Sequence, residues 1–171
     1  MSVEPVVDAL DLALLTALHD NPRSGVLELS RLLRVARATI ASRLQRLEQR
    51  GIVSGYGPDI DLAEAGYPVH AFVTLEIAQG ALDDVAADLA EIPGVLEAFA
   101  TTGAGDVLCK IAAASHRDLQ ATLVELTRSG SVTRSTSVVV LSTVIAPRTL
   151  PLLASRIRTT GTRAPAFRVD E

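Results

Sequence analysis

A chain of 171 residues with 48% hydrophobic and 21% charged side chains has room for one large domain or two small ones, and the balance of a folded protein. Its apolar runs are strand-sized, far from the roughly 20 residues of a membrane span, and the lone Cys109 excludes an intrachain disulfide or a Cys-rich zinc site. The opening residues lack the basic-then-apolar pattern of a secretion signal, so a cytoplasmic location is expected, with no cofactor. A net charge of −4 argues against polyanion binding until the chain is divided. Residues 61–145 are strongly acidic, whereas Arg31 to Arg50 holds six arginines against Glu48 alone. Positive potential is therefore confined to one short element, the pattern of a local contact with a polyanion.

In chain order, Leu10, Leu14, Ala17 and Leu18 predict a helix over 8–20, stopped at Asn21-Pro22. Ser24 is placed to cap a second helix carrying Val26, Leu29, Leu32 and Leu33. After a break at Arg34-Val35, Ile40, Leu44 and Leu47 anchor a third helix that ends before Gly51. Residues 52–56 read as a short wing-like strand.

This is the length and core spacing of a helix-turn-helix, whose second helix enters the major groove by its N-terminal end. Arg37, Thr39, Ser42 and Arg43 are then the base-reading candidates, and Arg34, Arg46 and Arg50 the phosphate contacts. A solvated Arg-rich face on an ordinary three-helix bundle is the plainer reading. Three helices followed by a glycine-bounded strand favour DNA.

From Pro68 the period changes to 2. Val69, Ala71, Val73, Leu75 and Ile77 mark a half-buried strand, followed by a helix through Leu82, Val85, Leu89 and Ile92. Strands are expected over 95–101 and 106–113, a helix through Leu119, Leu123 and Leu126, and a long strand over 132–145. The order predicts a ferredoxin-like βαββαβ domain in an α+β protein. Its exposed sheet face, with Phe72 and Leu108, is read as a homodimer interface. The expected division is 1–56 for the helix-turn-helix, 57–68 for a linker, 69–147 for the ferredoxin-like domain, and 148–171 for a flexible basic tail.

These residues resemble the Lrp/AsnC (feast/famine) family of transcriptional regulators from Leu10 to Ile145. The resemblance runs through Leu10-Asp11, Asn21-Pro22-Arg23, Glu28-Leu29-Ser30, Arg43-Leu44-Gln45-Arg46-Leu47-Glu48, Gly51-Ile52-Val53, Ala65-Gly66-Tyr67 and Gly103-Ala104-Gly105-Asp106. It implies a RAM-type C-terminal domain that binds an amino acid between subunits, and dimers assembling to tetramers or octamers. The implied effector residues are Thr101, Thr102, Gly103, Ala104, Gly105, Asp106, Ser135 and Ser137. Backbone N–H groups near the glycines suit a carboxylate, and Asp106 or nearby carbonyls suit an ammonium. The same stretch suits a tight hairpin capped by its Asp, and both readings stand at this point.

Two departures from the family pattern matter. Arg34-Val35-Ala36 replaces the usual Gly-Leu-Ser, removing an N-cap and putting a charged residue at the turn glycine. Gly105 stands where relatives often carry a larger side chain, which predicts a roomier effector pocket. Among other classes, a siroheme-decarboxylase-like enzyme shares this fold, but its many-carboxylate substrate would need a basic pocket and this domain is acidic. His19, His70 and His116 are scattered and form no metal or nucleophile motif. An effector-binding partner protein with a vestigial helix-turn-helix is the third reading.

Overall fold

The computed structural model describes residues 6–128 and 130–159, which form six helices and four strands. They fall into two compact units. One comprises the chain before Asp59 together with the segment after Ile145, and the other comprises residues 59–145.

In the first unit, α1 (Ala9–Asp20) starts at a reciprocal cap. The Asp8 carboxylate accepts from the Asp11 N–H at 2.9 Å, and Asp11 accepts from the Asp8 N–H at 3.0 Å. Helices α2 (Val26–Leu33) and α3 (Arg37–Gln49) close a small core around Leu14, Leu29, Ile40 and Leu47, all at most 1% exposed. At the end of α3, Gly51 takes φ +67. Its N–H reaches the Glu48 carbonyl and that of Ile52 reaches Leu47, satisfying carbonyls the helix leaves open.

Three local expectations are corrected here. Ser24 does not cap α2, because Gly25 occupies that position and makes no side-chain bond. The wing-like strand over 52–56 does not form, since that segment meets no ladder partner among the described residues. Ile52 and Val53 instead bond back to Leu47 and pack on the core. The flexible tail expected from residue 148 is in part a helix, α6 (Leu150–Thr159), packed on α1. The rest of that expectation, from 160 on, lies outside the described residues.

The second unit is a four-stranded antiparallel sheet in the order β2-β3-β1-β4 with two helices. Its elements are β1 (Val69–Ile77), α4 (Leu82–Ala90), β2 (Val95–Ala100), β3 (Val107–Ala113), α5 (His116–Leu126) and β4 (Val132–Val139). The inward residues of the central strands, Ala71, Val73, Leu75, Val107, Cys109 and Ile111, pack with Val85, Leu89, Leu119 and Leu126 of the helices. Burial pushes the Cys109 thiol up to about 11. On the other face Phe72 pairs with Val138, and Phe99 with Leu108, leaving Phe72, Phe99 and Val138 41–63% exposed. The last strand stops at Val139 rather than 145. Its partner β1 begins at Val69 after a proline, and the final bond runs from Val140 N–H to the His70 carbonyl.

Candidate functional site

The start of α3 carries the sequence-predicted DNA contacts, and the structure divides them into two groups. Arg37, Thr39 and Ser42 are exposed, as are Arg34 in the turn and Arg50 at the C-cap. Arg43 and Arg46 face the other way. Arg43 Nη1 donates to Asp8 Oδ2 and, at 3.1 Å, to Asp11 Oδ1, while Arg46 Nη2 donates to Asp11 Oδ2. Asp11 is fully buried, and the two guanidiniums keep 28% and 37% of their side-chain exposure.

Burying a carboxylate is costly unless it is paired and hydrogen-bonded, and here two arginines and a backbone N–H supply both. Burial works to raise the Asp8 carboxyl. Hydrogen bonds from Arg43 and the Asp11 N–H, with the charges of Arg43 and Arg46, outweigh it and leave Asp8 below its ordinary value. The bond to Asp8 chiefly holds the Arg43 guanidinium further into its charged form. Arg43, expected as a base reader, and Arg46, expected as a phosphate contact, thus both tie the recognition helix to α1. Asp8 and Asp11 were not among the predicted site residues. Their spacing of three, matched by the spacing of Arg43 and Arg46, is the signal that marks two facing pairs.

Turn geometry explains the atypical Arg34. Its φ of 52 and ψ of 40 lie in the left-handed region that a glycine would occupy without cost. The Val35 N–H reaches Ser30 and the Arg34 N–H reaches Arg31, so α2 closes in the usual way around an unusual residue. No side chain caps α3, which begins after Ala36. Its leading N–H groups thus remain for solvent or an anion. Beyond α3, the Tyr56 hydroxyl donates to Glu48, and burial with that carboxylate pushes it up to about 12.

At the second unit, the β2–β3 loop gathers Thr101 through Asp106 at the sheet end where β1 finishes and β4 begins. Asp106 is engaged in the fold: its N–H donates to the Leu75 carbonyl, and its Oδ2 accepts from the Ile77 N–H at 2.8 Å, beside the irregularity in β1. Thr101 closes the loop through its N–H to the Asp106 carbonyl and its Oγ1 to the Gly105 carbonyl. Gly103 requires its glycine, with φ +124. Thr102, Gly103 and Ala104 are exposed, as are Ser135 and Ser137 of β4, which pair with Leu75 and Val73 of β1.

Where a roomier pocket was expected, Gly105 leaves no spare room within its own subunit. A Cβ there would lie 2.2 Å from Thr74 Cγ2, so the space is filled by the threonine methyl. A separate cleft of ≈ 350 Å³ lies between α4 and α5, bordered by Val85, Glu91, Glu125 and Arg128. None of the loop residues lines it.

A basic, exposed helix start on a three-helix module, chained to a ferredoxin-like domain, defines a helix-turn-helix regulator with a ligand-binding domain. Two family models match accordingly: a winged helix-turn-helix DNA-binding model over residues 7–54 and the Lrp/AsnC ligand binding domain over 70–150. The HTH-type transcriptional regulator Ptr1 of Methanocaldococcus jannaschii is 30% identical over 104 residues, 61% of this chain and 70% of that relative. AsnC of E. coli matches with a TM-score of 0.79 at 27% identity, over 85% of this chain and 99% of its own. Transcriptional regulator NMB0573 from Neisseria meningitidis, solved in complex with L-Met, matches with a TM-score of 0.78 at 28% identity, over 85% and 97%. The chain belongs to the Lrp/AsnC family of DNA-binding transcriptional regulators. Among the described residues no group of three or more His, Cys, Asp or Glu is arranged to hold a metal, and no helix is long and apolar enough to cross a membrane.

Proposed function

We propose that this regulator reads double-stranded DNA through the first turns of α3 and is tuned by an amino acid held at the β2–β3 loop. The observation that carries the DNA half is the division of the arginines. Arg43 and Arg46 are spent on Asp8 and Asp11, while Arg37, Thr39 and Ser42 remain exposed on the helix so oriented. In this reading Arg37, Thr39 and Ser42 meet base edges, and Arg34, Arg50 and the uncapped N-terminus of α3 hold phosphates. Arg37→Ala then weakens binding to a cognate site by ~1–3 kcal/mol more than to random DNA. Equal losses on both sequences sink the base-reading role.

The effector half is supported by exposed backbone at Thr102, Gly103 and Ala104, beside Thr101 and at the sheet end where β4, the strand of Ser135 and Ser137, begins. The N–H groups and hydroxyls suit a carboxylate. Because Asp106 is committed to Ile77, ammonium acceptors come from loop carbonyls or from a second subunit. The relative NMB0573 was solved with L-methionine, which supports an amino acid as the ligand class. The apolar outer sheet face around Phe72, Phe99 and Val138 supports a homodimer, and dimers pairing into tetramers or octamers would complete each effector site. A cytoplasmic location fits a chain whose single thiol is buried and reduced. A thermal-shift screen of the twenty amino acids tests this half. One or a few should raise the unfolding temperature with dose, and none doing so contradicts it.

A further inference from the structure

Helix α1 is apolar on almost every side, with Leu10, Leu12, Ala13, Leu14, Leu15, Ala17 and Leu18 in twelve residues. A helix of that kind needs cover on more than one face. The packing of α2 and α3 supplies one side, at Leu14 and the buried Asp11. Helix α6 supplies another. Its Leu150, Leu153, Ala154 and Ile157 are half-buried at the i, i+3, i+4, i+7 spacing of a single stripe, while Pro151 and Leu152 between them are exposed. The ligand-binding family model ends at residue 150, where this helix starts.

We infer that α6 is a working part of the DNA-binding module, a clamp on α1 that ties the effector domain to that module at both of its ends. The chain leaves the module before Asp59 and re-enters it after Ile145, six residues beyond the end of the edge strand β4 at Val139. In this inference a displacement of that strand by ligand or assembly reaches α6 along residues 140–149 and passes from α6 to α1, whose Asp11 holds Arg43 and Arg46 of the recognition helix. This inference rests on the DNA-binding reading of α3, and two separate readouts keep them distinguishable.

The test compares the full-length chain with Leu153→Asp/Ile157→Asp, which spoils the stripe, and with Leu152→Asp, a change at a position 71% exposed on the opposite face. Hydrogen exchange reports on α1, and fluorescence anisotropy with labelled upstream DNA reports on binding. The double variant should exchange its α1 amides and release DNA at least about tenfold more readily, whereas Leu152→Asp stays within about twofold of the parent. Sedimentation and amino-acid stabilisation should match the parent in both, which separates loss of the clamp from general misfolding. Unchanged α1 exchange in the double variant, or unchanged DNA affinity despite faster exchange, overturns the inference. A parent chain that fails to bind DNA overturns the reading of α3 instead, and α1 exchange still decides whether α6 clamps it.

Discussion

Asp11 is the residue on which the orientation of the recognition helix turns. Its carboxylate is fully buried between two arginines, so Asp11→Ala leaves Arg46 facing a gap and Arg43 with Asp8 alone. The loss should be roughly 2–3 kcal/mol of module stability, below the full figure for a buried pair because the arginines reach solvent. Chemical denaturation followed by circular dichroism measures it. The neighbouring Asp8 adds a pH signature. Its folded pKa lies below the ordinary 3.8, so its contribution is fully present above that value and is lost as pH falls through the depressed one. Acid titration should weaken the N-terminal module modestly in that window, and Asp8→Asn should remove that part of the dependence.

Arg34 makes the opposite bargain. Arg34→Gly relieves its left-handed strain and should stabilise the module by about 0.5–1 kcal/mol. If Arg34 holds a phosphate, the same change weakens all DNA equally and lowers the salt slope by about one.

At the scale of elements, the loop from Thr101 to Asp106 is closely packed at one point, Gly105, while Thr102 to Ala104 are exposed. Gly105→Ala would push a methyl into Thr74 Cγ2 and should cost about 1–3 kcal/mol, recovered in large part by adding Thr74→Ser, which removes that methyl. Thermal unfolding of the two single variants and the double variant reads this directly.

The elements also show where sequence pattern suffices. Helices α1 to α3 and the order of all four strands were legible, because one apolar face per element fixes both period and register. The length of β4 was not, since a strand extends only as far as its partner, and β1 offers no residue before Val69 to pair with. The wing failed for the same want of a partner. The stripe on α6 was present in the residues, but Pro147, Pro151 and the Thr/Arg-rich end obscured it. Pro151 sits in the first turn, where its missing N–H costs nothing. The site was legible in composition but not in direction. Arg37 and Arg43 look alike along the chain, and only the docking of α1 tells which one faces a carboxylate.

For the whole molecule, a regulator must let events in one unit change binding in the other. Coupling of that kind equals the ligand's preference for one assembly or orientation over another, and it is reciprocal. DNA should therefore tighten or weaken amino-acid binding by the same factor by which the amino acid changes DNA binding. The most direct measurement is a titration of the intact protein with the DNA upstream of its own coding region, at two salt concentrations, with and without the amino acid that stabilises it. Tight binding, falling steeply as salt rises and shifted by the amino acid, is the predicted result. Absence of binding at low salt, with and without every amino acid, would contradict it.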